Sequence, residues 1–122
     1  MRARSKIGLA YLSGNGPPLI CSLEKLIGTP RDGALLRFSL GSEYLKAGDK
    51  ARAVEQLREA VQRDPDYSAA WKLLGKALSE DEPAQALEAW KCGIEAARRK
   101  GDRQAEKEMT VFARRLERNA AK

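Results

Sequence analysis

A pattern of residues that recurs after about 34 positions limits the possible folds of this chain more than any other feature. The pattern Arg37-x2-Leu40-Gly41-x2-Tyr44 returns as Trp71-x2-Leu74-Gly75-x2-Leu78, and Ala53-x3-Leu57-x2-Ala60 returns as Ala86-x3-Trp90-x2-Gly93. Recurrence at a fixed period indicates copies of one supersecondary unit. Large apolar residues stand beside glycine and alanine in both copies, and the small residues let two helices approach closely. We therefore expect two repeats, over residues 34–67 and 68–100.

The first copy has the spacing of two helices. Its apolar residues recur every three or four positions, at Leu36, Leu40 and Tyr44 and again at Val54, Leu57 and Val61. Such spacing puts them on one side of each helix. Residues 46–49 separate the two patterns as a turn, and Pro65 ends the second because proline cannot continue a helix. Helix-forming residues dominate the composition and no long run alternates with period two, so the sequence predicts an all-α fold.

The repeated pattern resembles that of the tetratricopeptide repeats. That family has Trp-x2-Leu-Gly-x2-Tyr, then Ala-x3-Phe and then Pro, at a period of about 34 residues. The two copies match it at Leu40, Gly41, Tyr44, Ala53, Pro65, Trp71, Leu74, Gly75 and Ala86, and depart from it at Arg37, Leu57, Leu78, Trp90 and Arg98. The resemblance implies helical hairpins stacked into an α-solenoid.

Further helices are expected on both sides of the repeats. Pro17-Pro18 and Gly28 bound a short apolar stretch, which predicts a helix over residues 18–27. Asp102 is a favoured N-cap for a capping helix over residues 102–118. The apolar stripe of that helix is Ala105, Met109, Phe112, Ala113 and Leu116, and its polar outer side would close the array. We expect residues 18–119 to form one domain and residues 1–17 to be disordered.

Composition argues against most catalytic and metal chemistry. The chain has no His and only two Cys, Cys21 and Cys92, which removes the usual base near neutral pH, the catalytic triads and CxxC metal sites. No stretch approaches the roughly 20 apolar residues of a membrane span. The apolar run at residues 7–12 is shorter than a secretory signal requires. We expect a cytoplasmic protein that is not an enzyme and that binds no cofactor or metal.

The family resemblance also implies a protein or peptide partner. In tetratricopeptide arrays the first helix of each pair lines an inner groove, through positions that the core does not use. At a spacing of 34 residues these positions are Leu35, Phe38, Ser42, Leu45 and Lys46, then Ala69, Lys72, Lys76, Ser79 and Glu80, and then Arg103, Glu106, Thr110 and Arg114. Phe38 and Leu45 beside the two lysines suit a segment with apolar and acidic side chains. Alternatively, Phe38 and Leu45 pack on the helix of residues 18–27, and the lysines are ordinary solvated residues.

Two other uses of the chain remain open. Residues 91–122 hold ten basic and five acidic residues, and this surplus favours nucleic acid or an acidic partner. The basic residues concerned are Arg98, Arg99, Lys100, Arg103, Lys107, Arg114, Arg115 and Arg118. Interspersed acids and the lack of an aromatic stacking platform are instead typical of a solvated helix face. Two repeats are also fewer than such arrays usually need, so an exposed end could pair with a second copy as a weak homodimer.

Overall fold

Helices follow one another along residues 18–121, the part of the chain that the computed structural model describes. Their bounds are α1 Pro18–Glu24, α2 Ala34–Lys46, α3 Lys50–Arg63, α4 Ser68–Leu78, α5 Pro83–Lys100 and α6 Arg103–Ala120. These residues contain no strand, and the predicted all-α fold is confirmed. The disorder predicted for residues 1–17 concerns a segment outside the described residues.

Neighbouring helices pack as hairpins. Helix α2 contacts α3, and α4 contacts α5, across the turns that join them. The first helices of successive hairpins also touch, because α4 contacts both α2 and α6. At the two ends of this stack, α1 packs on α2 and α6 packs on α5. The stack is the arrangement that the repeated pattern predicts.

The helix ends follow from local hydrogen bonding. The Asp102 carboxylate accepts a bond of 3.1 Å from the Ala105 backbone N–H, so the predicted N-cap of α6 is confirmed. Helix α1 ends at Glu24, earlier than the predicted Ile27, and turns follow as far as Gly28. The Thr29 hydroxyl donates to the Leu26 carbonyl at 2.6 Å and stabilises these turns. Gly28 itself has φ +82°, which favours glycine.

Glycine lets the helices of each hairpin approach closely. A Cβ atom on Gly41 would lie 2.5 Å from Leu57 Cγ, and one on Gly75 would lie 2.1 Å from Trp90 Nε1. Both glycines stand on the first helix of a hairpin, opposite a large residue of the second. The indole of Trp90 is held in place, because its N–H donates to the Lys72 carbonyl at 3.1 Å. The two repeats therefore share one packing plan, in which glycine faces a large apolar side chain.

Helix α6 departs from the spacing of 34 residues. Helix α4 begins 34 residues after α2, whereas α6 begins 35 residues after α4. The buried positions shift in the same way, since Ala70, Leu74 and Leu78 correspond to Ala105, Met109 and Ala113. The cause is α5, which has 18 residues where α3 has 14. Positions transferred from α4 to α6 at a spacing of 34 are consequently one residue out of register.

Candidate interaction surface

The groove surface is defined here as the side of α2, α4 and α6 that the core does not use. On α2, Leu35 is 68% exposed although it is a large apolar residue. Leu45 is half-buried at the other end of the helix, and Lys46 is exposed. Because residues three, four and seven apart share a helix face, these side chains lie along one side of α2 with the half-buried residues Phe38 and Ser42. The surface contributed by repeat one is thus mostly apolar.

Phe38 extends this apolar surface towards the second repeat. Its ring lies 5.0 Å from the ring of Tyr67, centroid to centroid, with the planes tilted by 38°. Tyr67 is the N-cap residue of α4. Burial and the carboxylate of Asp64 raise the pKa of the Tyr67 hydroxyl, so it stays uncharged at neutral pH. The pair of rings joins α2 to the beginning of α4 and leaves a neutral, partly exposed aromatic surface.

On α4 the first of the two predicted lysines is already engaged. The Lys72 ammonium lies 2.6 Å from the Glu108 carboxylate of α6. Glu108 also accepts a hydrogen bond of 3.1 Å from the Gln104 amide. The pKa of Glu108 is lowered, first by the hydrogen bond from Lys72, then by Gln104 and by the charge of Lys76. Lys72 therefore meets an internal carboxylate before it can meet one from a partner.

The second lysine is in a different position. The Lys76 ammonium lies 5.1 Å from the centre of the Phe112 ring, within the range of a cation–π contact. No carboxylate of residues 18–121 lies within 4.0 Å of Lys76 or of Arg115. Both cations border a cleft of about 280 Å³ between the end of α4 and the last turns of α6. Its lining residues are Lys76, Ser79, Trp90, Phe112, Arg115, Leu116 and Asn119, and we call it the Lys76 cleft.

The predicted residues of α6 do not all join this surface. Counted from the buried positions, the counterparts of the α4 groove residues are Gln104, Lys107, Val111, Arg114 and Arg115. Arg114 belongs to both sets, whereas Arg103, Glu106 and Thr110 do not. Thr110 takes the place of Gly41 and Gly75, on the side of a first helix that its own second helix covers. Within the described residues no helix covers that side of α6, and a shallow depression between Arg103 and Arg114 remains there.

The basic residues of the C-terminal region fall into two groups. Arg98 pairs with Glu106 at 2.7 Å, and Arg99 pairs with Asp66 at 2.7 Å. The others have no carboxylate of residues 18–121 within 4.0 Å: Lys100, Arg103, Lys107, Arg114, Arg115 and Arg118. With 3.6 residues per turn, Arg103, Lys107, Arg114 and Arg118 share the outer face of α6. We call these four residues the α6 basic stripe.

Comparison with known proteins agrees with this geometry. A family model described as tetratricopeptide repeat matches residues 34–77. The TPR repeat-containing protein PA0015 of Pseudomonas aeruginosa is 54% identical over 101 residues, which cover 82% of this chain and 96% of that protein. This chain belongs to the tetratricopeptide repeat family.

Solved structures of other tetratricopeptide proteins have the same fold. The solution structure of protein BPP2914 from Bordetella parapertussis matches with a TM-score of 0.72 and 42% identity, over 84% of this chain and 90% of that one. The crystal structure of a tetratricopeptide repeat domain protein from Salinibacter ruber matches with a TM-score of 0.66 and 30% identity, over 70% of this chain and 97% of that one. The tetratricopeptide fold is in general a protein-interaction scaffold, because stacked hairpins form an extended concave surface.

Sequence reasoning missed several residues of this tetratricopeptide surface. Tyr67, Glu108 and Arg115 were not among the predicted groove residues, and Phe112 was assigned to the core alone. Phe112 is half-buried, so it contributes both to the core and to the Lys76 cleft. The signal that could have found Glu108 is its interruption of the stripe of Ala105, Met109 and Phe112, because an acid beside that stripe faces a neighbouring helix.

Two further observations concern other classes of function. No helix within residues 18–121 has both the length and the apolar content that crossing a membrane requires. Cys92 is half-buried, and burial followed by the charges of Glu88 and Glu95 raises the pKa of its thiol. A raised pKa keeps the thiol protonated and weakly nucleophilic, as expected for a cysteine that only packs.

Proposed function

We propose that this tetratricopeptide protein is a non-catalytic adaptor that binds a segment of another protein along the groove surface. The observation that carries the proposal is the exposed apolar side of α2, which leads through the Phe38–Tyr67 pair to the cations of α4 and α6. Leu35 keeps 68% of its surface in solvent, and an isolated domain gains nothing from that exposure. A bound apolar side chain would remove this surface from water.

The proposed partner segment carries apolar residues beside acidic ones. Leu35, Phe38 and Leu45 offer apolar surface, while Lys76 offers a charge that no described carboxylate neutralises. Apolar contacts supply most of the affinity of such a surface, and complementary charge sets orientation and selectivity. Ala69 and Ser42 are small, and they leave room for the backbone of the segment between those side chains.

The test uses the intact chain and a partner first captured from the native cell and then purified. Leu35→Ser and Phe38→Ala should each weaken the dissociation constant about tenfold, the size of a moderate interface residue. The matched control is Val111→Ser, because Val111 is 44% exposed on α6 and lies outside the apolar side of α2. Calorimetric titration that finds both groove variants binding like the unaltered chain contradicts the proposal.

We propose that the chain works as a monomer or at most a weak homodimer in the cytoplasm. At the N-terminal end of the stack, α1 covers α2. At the other end two copies would bring α6 basic stripes together, and like charges repel. The two cysteines are free thiols, which suits a reducing compartment. Light scattering over a wide concentration range should give a mass close to 13.5 kDa, and a stable dimer at low concentration contradicts this.

A second candidate function is nucleic-acid binding through the α6 basic stripe. The observation that favours it is four cations on one helix face without a carboxylate partner in residues 18–121. Neutralising phosphates releases counterions, so binding would weaken steeply with salt. Removing two single-strand contacts lowers the slope of log K against log salt by about 1.4.

Fluorescence anisotropy with a labelled oligonucleotide tests this candidate. The double variant of Arg114→Gln and Arg118→Gln should flatten the salt dependence. The matched control is the double variant of Arg98→Gln and Arg99→Gln, which removes the same charge from residues already paired with acids. No binding at the lowest salt, or equal losses in both double variants, excludes the stripe as a nucleic-acid site.

A further inference from the structure

The Lys76 cleft combines charge, hydrogen-bonding groups and an apolar floor in one small space. Trp90, Phe112 and Leu116 supply the apolar part, and the Trp90 and Phe112 rings lie 5.5 Å apart. Lys76 and Arg115 supply two positive charges at its rim, and both residues are exposed. Asn119 adds an amide that can donate hydrogen bonds. With about 280 Å³, the cleft has room for one side chain and not for a folded element.

The electrostatics of the cleft favour an anion. The end of α4 presents carbonyl groups, which together amount to about half a negative charge. Ser79 masks part of that charge, because its hydroxyl donates to the Lys76 carbonyl at 3.0 Å. Two full positive charges from Lys76 and Arg115 outweigh the remainder. Glu108 does not neutralise them, since its carboxylate is bound by Lys72 at 2.6 Å and Gln104 at 3.1 Å.

We propose that the Lys76 cleft holds the carboxylate of a glutamate or aspartate side chain of the bound segment, between Lys76 and Arg115. The aliphatic part of that side chain, or an apolar neighbour, packs on Trp90 and Phe112. This assignment rests on the proposed groove function and deepens it, because it fixes where the acidic residue of the partner lies. It also moves the acidic contact from the predicted Lys72–Lys76 pair to a pair formed by α4 and α6.

The experiment is a nitrogen-15 NMR titration of the intact chain with two tripeptide probes. One probe is leucyl-leucyl-glutamate, acetylated and amidated at its ends so that the side chain carries its only carboxylate. The other is the glutamine counterpart, which has the same shape and no charge. The indole N–H of Trp90 and the side-chain amide of Asn119 report on the cleft. Backbone amides of α2 report on the rest of the groove surface.

The glutamate probe should shift the Trp90 and Asn119 signals with a dissociation constant of about 1 mM, and the glutamine probe should bind at least about fivefold more weakly. Lys76→Gln and Arg115→Gln should each weaken the glutamate probe about tenfold, because each removes a charge-assisted contact. The control is Arg118→Gln, which removes the same charge one turn or less away, outside the cleft lining.

Each other outcome overturns the assignment. Equal shifts with the two probes mean that the cleft binds apolar groups only. Shifts along α2 without shifts of Trp90 and Asn119 leave the groove function standing and remove the cleft as the acidic site. No shift anywhere with either probe at about 10 mM removes the cleft and speaks against the groove function as well. An effect of Arg118→Gln equal to that of Arg115→Gln shows general charge attraction in place of a site.

Discussion

The two repeats begin at equivalent positions with different chemistry. In repeat one, Arg37 stands where repeat two has Trp71. Arg37 donates to the Asp32 carboxylate at 2.9 Å and to the Gln56 amide oxygen at 3.1 Å. Trp71 instead packs its Cβ against Gly93, where an added Cβ would lie 2.7 Å away, and its indole N–H donates to the Pro65 carbonyl at 2.8 Å. A polar network and an aromatic ring thus occupy the same place in one fold.

The difference continues on the groove surface. Phe38 of repeat one corresponds to Lys72 of repeat two, and Ser42 corresponds to Lys76. Repeat one is therefore charged where it meets the preceding loop and apolar towards the groove, whereas repeat two is aromatic inside and cationic outside. The comparison teaches that the family pattern fixes the packing of the hairpins and leaves the remaining faces free to differ. The following predictions test the contrast, first in the core and then at the surface.

The largest expected effect comes from filling the glycine positions. Gly75→Ala should lower the free energy of unfolding by about 3 kcal/mol, because the new Cβ would lie 2.1 to 2.4 Å from the rigid indole of Trp90. Gly41→Ala should cost about 1 kcal/mol, since Leu57 can change rotamer and alanine favours the helix. Urea unfolding measures both. Equal losses would show that Leu57 and Trp90 are equally rigid and would break the contrast between the two cores.

The polar network of repeat one should make stability depend on acid. The hydrogen bond from Arg37, followed by that from the Gly28 N–H, holds the pKa of Asp32 far below its ordinary value of 3.8. A lowered pKa in the folded state contributes stability above about pH 4, and that contribution is lost as the pH falls further. The unaltered chain should therefore be more stable than Asp32→Asn at pH 7, and the difference should shrink below pH 4.

The matched control for this prediction is Asp66→Asn. Asp66 stands 34 residues after Asp32 and pairs with Arg99 at 2.7 Å, but its side chain is 50% exposed where that of Asp32 is 8% exposed. Solvent screens such a pair, so this substitution should change stability little. Thermal unfolding from pH 7 to pH 2 distinguishes the two aspartates. A difference between Asp32→Asn and the unaltered chain that stays constant over this range contradicts the role of Asp32.

The outcome for the sequence predictions follows the same division. Leu40, Gly41 and Leu57 predicted the hairpin correctly, because spacing and residue size suffice to decide which helix faces meet. The contact of Lys72 with Glu108 was beyond that reasoning. It joins residues 36 positions apart, on helices whose relative register depends on the length of α5. A period of 34 residues predicted Thr110 as a groove residue, and the longer α5 moves that position to Val111.

A smaller effect should follow from releasing Lys72. Glu108→Gln removes the carboxylate that Lys72 and Gln104 hold, and it leaves a free ammonium on the groove surface. The glutamate tripeptide should then bind about threefold more tightly, a gain of the size expected for one partly exposed charge. The control is Glu106→Gln, which frees Arg98 outside the groove surface. Unchanged affinity in Glu108→Gln would show that Lys72 takes no part in binding, even when it is unpaired.

The most direct test of the whole account is a map of the partner on this chain. Nitrogen-15 NMR of the complex with the purified partner should show the largest shifts in α2 and α4, at Leu35, Phe38 and Lys76, together with the Trp90 indole. The outer face of α6, from Arg103 to Arg118, should change little. Shifts confined to that outer face, with α2 and α4 unperturbed, would contradict the claim that the groove surface is the working surface of this tetratricopeptide protein.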